Sequence, residues 1–221
     1  MIQNNKLTSA TFKKTPNSSG NIREFKYIII HDDYGASVEG TTSWILNPIS
    51  QVSYHTLIGK EGEIIQYVDF NKRAWHCGRS SWKGLSDLNW YTIGVCMQNR
   101  GGEDYTEKQI QTAIEVSKKV AEHYSIKEAL GHRQIAPTRK TDPNNHFPWG
   151  RFNKEVFGID ANVKYTTSNL NLRSGANITH SVIRVLKKGE GVSVLKKSND
   201  WCKVSVISTK ETGWVSSKYL K

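Results

Sequence analysis

The sequence predicts two folded units: an α/β domain over residues 1–158, with a central mixed sheet flanked by helices, and a small all-β barrel over residues 164–221. Three observations carry that division. Tyr27-Ile28-Ile29-Ile30 and Thr92-Ile93-Gly94-Val95-Cys96-Met97 are apolar without alternation, the pattern of strands buried on both faces. Residues 106–124 repeat apolar positions at the helical period. Past residue 163 the helical pattern stops, and short alternating runs separated by Gly turns take over.

Taken in order, residues 1–25 read as an irregular arm with a turn at Pro16-Asn17-Ser18-Ser19-Gly20. The strand that follows ends on His31, and Asp32 is expected either to orient that imidazole or to be solvated. A short helix over 40–46 would start at Thr41 or Thr42, stop before Pro48 and bury Trp44, Ile45 and Ile49. Residues 52–58 and 63–68 read as two strands around a Gly-bearing turn. On such a strand Tyr54 and His55 point to opposite faces. Residues 73–78, Arg-Ala-Trp-His-Cys-Gly, form a loop, and Trp82 and Trp90 are placed at the border of a cleft. Gly94 would permit a close approach to the 92–97 strand. Thr106-Glu107-Lys108-Gln109 is a capping box at the start of the long helix, whose period is broken only by Ser117. A further short helix reaches Phe157, and residues 159–163 form a linker.

Composition bounds the chemistry. No stretch approaches the roughly 20 apolar residues of a membrane span, so no membrane partner is expected. The first 25 residues lack the apolar core of an export signal, which predicts synthesis in the cytoplasm without one. Cys77, Cys96 and Cys202 have no paired spacing and argue against a disulfide framework. The net charge of +11 is concentrated at the end of the chain, where residues 164–221 hold 11 Lys and Arg against 3 Asp and Glu. Such an excess favours a polyanion. There is neither a recognition helix nor an RNP-type aromatic motif, so no nucleic-acid partner is expected.

The chemistry-bearing stretch is 131–143, Gly-His-Arg-Gln-Ile-Ala-Pro-Thr-Arg-Lys-Thr-Asp-Pro. Pro137 and Pro143 resist helical continuation, so the run reads as a constrained loop that brings Asp142 back beside His132. With His31 at the rim of a sheet, His132 and Asp142 complete two imidazoles and a carboxylate around one open position, a catalytic zinc set.

Five segments, IIIH, SYHTLIGKEGEIIQYV, RAWHCG, TIGVCMQN and GHRQIAPTRKTDP, resemble in order the motifs of the zinc-dependent N-acetylmuramoyl-L-alanine amidases of the amidase_2 type, which include peptidoglycan recognition proteins. The likeness covers roughly residues 24–152. Residues 164–221 resemble a bacterial SH3-like (SH3b) domain through SNLNLRSG, VLKKG, WCKV and TGWVSSKYL, with Leu170, Leu172, Val192, Val194, Trp201 and Trp214 as its expected core. What the resemblance implies is a zinc hydrolase with His31, His132 and Asp142 as ligands. It also implies catalytic roles for Tyr54 and Lys140, with His76 lining the cleft. Most of the family carries a glutamate where this chain has Cys96, and the phage-lysozyme branch also has cysteine there, which shifts proton handling to Tyr54. A nucleophilic Cys96 is disfavoured by burial. Arg139 is a weaker candidate for a stem-peptide carboxylate, and His146 is placed at the rim.

The expected partner is peptidoglycan, both glycan strand and stem peptide, met by a monomer. The bond cut would join N-acetylmuramic acid to L-alanine, with the SH3-like unit tethering the enzyme to the wall. Lysis or a dedicated secretion route would bring an endolysin, autolysin or antibacterial effector to its substrate. Two alternatives stand beside this: a recognition protein that binds without cutting, and a cytoplasmic recycling amidase for soluble muropeptides, whose branch TRKTDP resembles.

Overall fold

Six consecutive buried residues, Tyr27–Asp32, form the strand that carries His31, and it has a parallel neighbour at each edge. The computed structural model describes residues 1–159, 162–209 and 211–221. Residues 160 and 161, inside the predicted linker, lie outside the described residues, as does residue 210. The chain divides into two compact units, Met1–Gly158 and Ile159–Lys221.

In the first unit the strands of the main sheet are β1 (Thr11–Phe12), β2 (Tyr27–Asp32), β3 (Thr56–Ile58), β4 (Ile64–Gln66), β5 (Thr92–Met97) and β6 (Glu128–Gly131). Their order across the sheet is β6-β2-β5-β3-β4-β1. Only β3 and β4 pair antiparallel, as a hairpin; every other neighbouring pair is parallel. Fully buried β2 and β5 sit at the centre and carry the unbroken apolar runs that parallel strands require. The helices are α1 (Val38–Leu46), α2 (Glu107–Tyr124), α3 (His132–Ile135) and α4 (Trp149–Phe157). The main core joins Ile28 and Ile30 of β2 and Ile93 and Val95 of β5 to Ile110, Ala113, Ile114 and Val120 of α2 and Phe152 of α4.

Several local expectations are corrected. The arm is integral to the fold: Thr11–Phe12 is an edge strand, and Leu7 and Ile22 belong to the core. Helix α1 is capped by Ser37, whose side chain accepts from the Gly40 amide, while Thr41 and Thr42 lie inside the helix. Trp44 is 53% exposed and Ile49 is 81% exposed; of the three predicted apolar contacts only Ile45 is buried. Thr106 caps α2 by accepting from the Gln109 amide, but the Gln109 side chain donates instead to the Ile58 and Gln98 carbonyls. Ties between helix and sheet have displaced the reciprocal half of the capping box. Ser117, the break in the helical period, is fully buried. Trp90 lies between the guanidinium groups of Arg23 and Arg73, each 4.2 Å from its ring. Trp82 packs on the cluster around Tyr27, Cys77 and Leu88.

His55 is fully buried just before β3, as a core histidine. Its Nδ1 accepts from the Gly94 amide at 2.9 Å and its Nε2 donates to the Lys72 carbonyl at 2.9 Å, which holds the neutral ring. Burial lowers its pKa from 6.5 to about 4. On acidification the unfolded chain therefore takes up this proton first, and stability falls as pH drops from about 6.5 toward 4, by up to about 3 kcal/mol from this residue. Urea unfolding of metal-free protein at several pH values should show a shallower acid loss for His55→Gln than for the parent.

The second unit is a six-stranded antiparallel sheet of β7 (Val163–Tyr165), β8 (Leu170–Arg173), β9 (Val182–Leu186), β10 (Gly191–Ser198), β11 (Trp201–Val206) and β12 (Thr212–Ser216). Its order is β7-β10-β11-β12-β8-β9. Leu170, Leu172 and Val192 are in its core and Val194 packs against it, as expected. Trp201 and Trp214 are not in that core. Their sequence neighbours Cys202 and Val215, paired across β11 and β12, fill it, and strand alternation turns the two indoles to the other face.

Candidate metal centre

Parallel pairing sets Gly131 beside Ile30, so the next residues, His132 and His31, leave adjacent strand ends at the same level. The carboxyl edge of a parallel sheet is where such folds place ligand sites. Asp142 returns to this edge on a folded-back loop between the two prolines, which α3 precedes. The loop is pinned at several points. The Arg133 amide donates to the Asp142 carbonyl at 2.8 Å, and its guanidinium holds the Pro143 carbonyl. A Cβ on Gly131 would lie 2.8 Å from Pro143 Cδ, so the close fold-over of the loop needs glycine there.

Asp32 corrects an expectation. It neither touches His31 nor is solvated: Oδ1 accepts from the Tyr105 hydroxyl at 2.6 Å and Oδ2 from the Asn144 amide at 2.9 Å. Burial raises its pKa to about 6, against the pull of those two donors. It holds the loop two residues beyond Asp142.

The three candidate ligands converge. His31 Nδ1 and His132 Nδ1 are 3.0 Å apart, and each is 3.1 Å from Asp142 Oδ2. All three residues are buried, at 0%, 3% and 2% exposure. Partners behind the rings determine which nitrogens carry hydrogen. His132 Nε2 donates to the Cys77 carbonyl at 3.1 Å, leaving Nδ1 with its lone pair. Thr92 donates to the Leu88 carbonyl at 2.7 Å, so its oxygen accepts from His76 Nε2 at 3.3 Å. His76 Nδ1 then accepts from His31 Nε2 at 2.9 Å, and His31 Nδ1 also faces inward with a lone pair. Two lone pairs and a carboxylate oxygen at these separations repel unless a cation lies among them. Asp142 Oδ1 is buried without a hydrogen-bond partner. This donor set fits a divalent zinc ion with an open fourth position. Burial, then the His132 ring, lowers the His31 pKa to about 4.

His76 was expected along the cleft. It is instead 4% exposed behind His31, with the ring planes nearly perpendicular at 88°. It orients a candidate ligand, and its own amide and that of Cys77 are held by Asn89 Oδ1. The predicted close approach at Gly94 is to this ring: a Cβ there would lie 2.7 Å from His76 Nδ1. Gly94→Ala should therefore displace His76, lower zinc affinity about 10–100-fold and reduce the unfolding temperature. Competitive zinc titration and thermal unfolding would measure both effects.

Tyr54 does reach the site, with its ring 5.1 Å from that of His31. Cys96 stands in register with His31 on the neighbouring strand. Burial pushes both the phenol and the thiol well above their ordinary pKa values, so both stay protonated. Lys140 is half-buried, and its charge contributes to the lowered pKa of His31. Arg139 is engaged elsewhere: Nη2 donates to the Cys77 and Arg79 carbonyls at 2.6 and 3.0 Å. His146 pairs with Asp104 at an exposed position. The Cys77 carbonyl, Thr92 and Asn89 escaped sequence reasoning. A main-chain oxygen leaves no residue signature, and both polar side chains act through tertiary contacts.

Beside Tyr54, a groove of about 270 Å³ is lined by Asp33, Tyr34, Thr41, Trp44 and Val52 among others. Exposed Trp44 thus borders a depression next to the ligand cluster.

Comparison with known proteins identifies both regions of the chain. Residues 21–145 match the Amidase_2 family, described as N-acetylmuramoyl-L-alanine amidase, and residues 168–221 match the bacterial SH3 domain family. The chain is 42% identical over 104 residues to the 1,6-anhydro-N-acetylmuramyl-L-alanine amidase AmpD of Escherichia coli, covering 46% of this chain and 57% of that protein. It is 33% identical over 155 residues to the E. coli N-acetylmuramoyl-L-alanine amidase AmiD, covering 60% of this chain and 54% of that protein. These matches thus span little more than half the length of either relative. Among solved structures, a selenomethionine AmpD derivative aligns with a TM-score of 0.64 at 29% identity, over 71% of this chain and 99% of that one. E. coli AmiD in complex with anhydro-N-acetylmuramic acid-L-Ala-D-gamma-Glu-L-Lys aligns at 0.57 and 27% identity, over 73% and 62%. With its family match extending over more than half its length, the chain belongs to the N-acetylmuramoyl-L-alanine amidase family Amidase_2 and carries a bacterial SH3 domain behind that region.

Proposed function

We propose that the Met1–Gly158 unit is a zinc-dependent amidase that hydrolyses the bond between N-acetylmuramic acid and the L-alanine of a stem peptide. The SH3-like unit would hold it on peptidoglycan. The observation that carries the reading is the meeting of His31 Nδ1, His132 Nδ1 and Asp142 Oδ2 within 3.1 Å, beside an orphaned carboxylate oxygen.

Zinc, when bound, supplies Lewis acidity toward the amide carbonyl and acidifies water. The residues of the chain do the rest. His76 and the Cys77 carbonyl keep the two imidazoles turned with their lone pairs inward. Tyr54, protonated throughout the working pH range, acts as a hydrogen-bonding group that orients the attacking water, and its high pKa disfavours a role as base. Lys140 brings a positive charge to the oxygen on which negative charge develops, a contribution worth roughly 3–4 kcal/mol. A binding-only role is disfavoured because the ligand set is complete.

A second reading draws on the 42% identity to AmpD: a recycling amidase for soluble anhydromuramyl peptides, working in the cytoplasm. The two readings differ in substrate, since a soluble peptide needs no tether. The deciding experiment incubates the full chain with purified sacculi and with soluble anhydromuramyl tripeptide, with and without chelator. Mass spectrometry then looks for new L-alanine amino termini. Cleavage of both, abolished by chelator, is expected; cleavage of the soluble peptide alone establishes recycling. Cleavage of neither substrate by zinc-loaded protein refutes the amidase reading.

A further inference from the structure

Register in the SH3-like unit brings four side chains into one line. Lys196 of β10 stands opposite Lys203 of β11, Lys203 opposite Trp214 of β12, and Trp214 opposite Arg173 of β8. Their strand neighbours Cys202, Val204, Val215 and Leu172 are buried in the core, so alternation puts the row on the outer face. There Lys196 and Lys203 are exposed and Trp214 and Arg173 half-exposed. At about 4.8 Å between strands, the row is roughly 14 Å long.

Like charges placed directly opposite one another destabilise a sheet. Among the described residues, no ion pair relieves them. Glu190 and Glu211 are both engaged by Arg184, at 2.6 and 2.8 Å. Among the described residues, Lys196 and Lys203 have neither an ion pair nor a side-chain hydrogen bond. Arg173 donates through Nη1 to the His180 carbonyl at 2.8 Å and keeps its other donors free. A line of uncompensated cations around one indole suits a linear polyanion better than the isolated carboxylates of a stem peptide.

We propose that this row binds an anionic wall polymer linked by phosphodiesters, with Lys196, Lys203 and Arg173 on successive phosphates and Trp214 against the carbon backbone between them. The inference rests on the reading of this unit as a wall anchor. Membership of the chain in a family named for muramyl-alanine amidases puts a wall polymer ahead of nucleic acid.

The test uses the full chain, with poly(glycerol phosphate) as probe and calorimetric titration over a range of salt concentrations. The parent should bind, and Lys196→Gln with Lys203→Gln should weaken binding about tenfold and reduce the salt slope by about 1.5, from roughly 0.7–0.9 per phosphate contact. Lys187→Gln with Lys188→Gln removes the same charge from an exposed turn off the row and should change affinity less than about twofold. The row variant should unfold at or above the parent temperature, since it loses a repelling pair, and should cleave soluble anhydromuramyl peptide as the parent does. If the double variant does not fold, Lys203→Gln alone is compared with Lys187→Gln in the same way. Absence of binding by the parent, equal losses from both pairs, or tighter binding to single- or double-stranded DNA of matched charge overturns the proposal. Because binding is read without turnover, its failure leaves the amidase reading standing.

Discussion

Asp142→Ala should lose both stoichiometric zinc and hydrolysis of the muramyl–alanine amide while remaining folded. In the parent, Asp142 Oδ2 stands 3.1 Å from both ligand nitrogens, and Oδ1 has no partner. No other carboxylate joins the two histidines in a metal-holding group among the described residues. Two imidazoles alone hold zinc weakly, and the pKa of water returns from about 7 toward 15.7, so turnover should fall by more than about 10³-fold. The surrounding loop keeps its other ties, from Arg133 to the Asp142 and Pro143 carbonyls and from the Asn144 amide to Asp32. The metal-free variant should therefore unfold close to the metal-free parent. Metal analysis after dialysis, paired with mass spectrometry of digested sacculi, checks both halves. Parental zinc content together with parental turnover would remove the basis of the metal centre.

Lys140→Ala should separate chemistry from metal binding. The residue lies two positions before Asp142, is half-buried, and its charge is felt at His31. It is not a ligand, so zinc content should match the parent. If its ammonium stabilises the developing oxyanion, kcat should fall about 10²–10³-fold with KM little changed, the signature of an interaction made mainly in the transition state. A rise in KM at constant kcat would assign Lys140 to substrate binding instead. The competing candidate, Arg139, is already bonded to two carbonyls of the 77–79 loop.

Much of this site was visible in one dimension because its ligands sit where local rules apply. His31 ends an apolar run long enough to be a central strand. His132 follows a Gly that ends another strand, and two prolines bend the chain back to Asp142. Tyr54 stands beside His31 although only Thr56–Ile58 is strand, because the two ladder bonds of His55 keep the approach extended. The roles of His76 and Asp32 were not legible. For His76 the family resemblance implies a place along the cleft, and the sequence shows an imidazole in a loop but not the Thr92 and Gly94 that draw its ring under the site. Asp32 looked able to act on its neighbour His31, but adjacent strand residues face opposite ways, and its partners are 73 and 112 residues along the chain.

By itself, then, the sequence determined the division into an α/β unit and an all-β unit, the central strands and the residues able to hold a metal. Periodicity, strand ends and proline positions are properties of neighbouring residues. Tertiary structure alone decided which nitrogen of each histidine faces inward, that Asp32 anchors the loop beyond Asp142 without touching His31, and that Trp201 and Trp214 lie outside the barrel core. Each of those outcomes depends on a hydrogen bond or strand register between residues far apart in the chain, where local pattern carries no information.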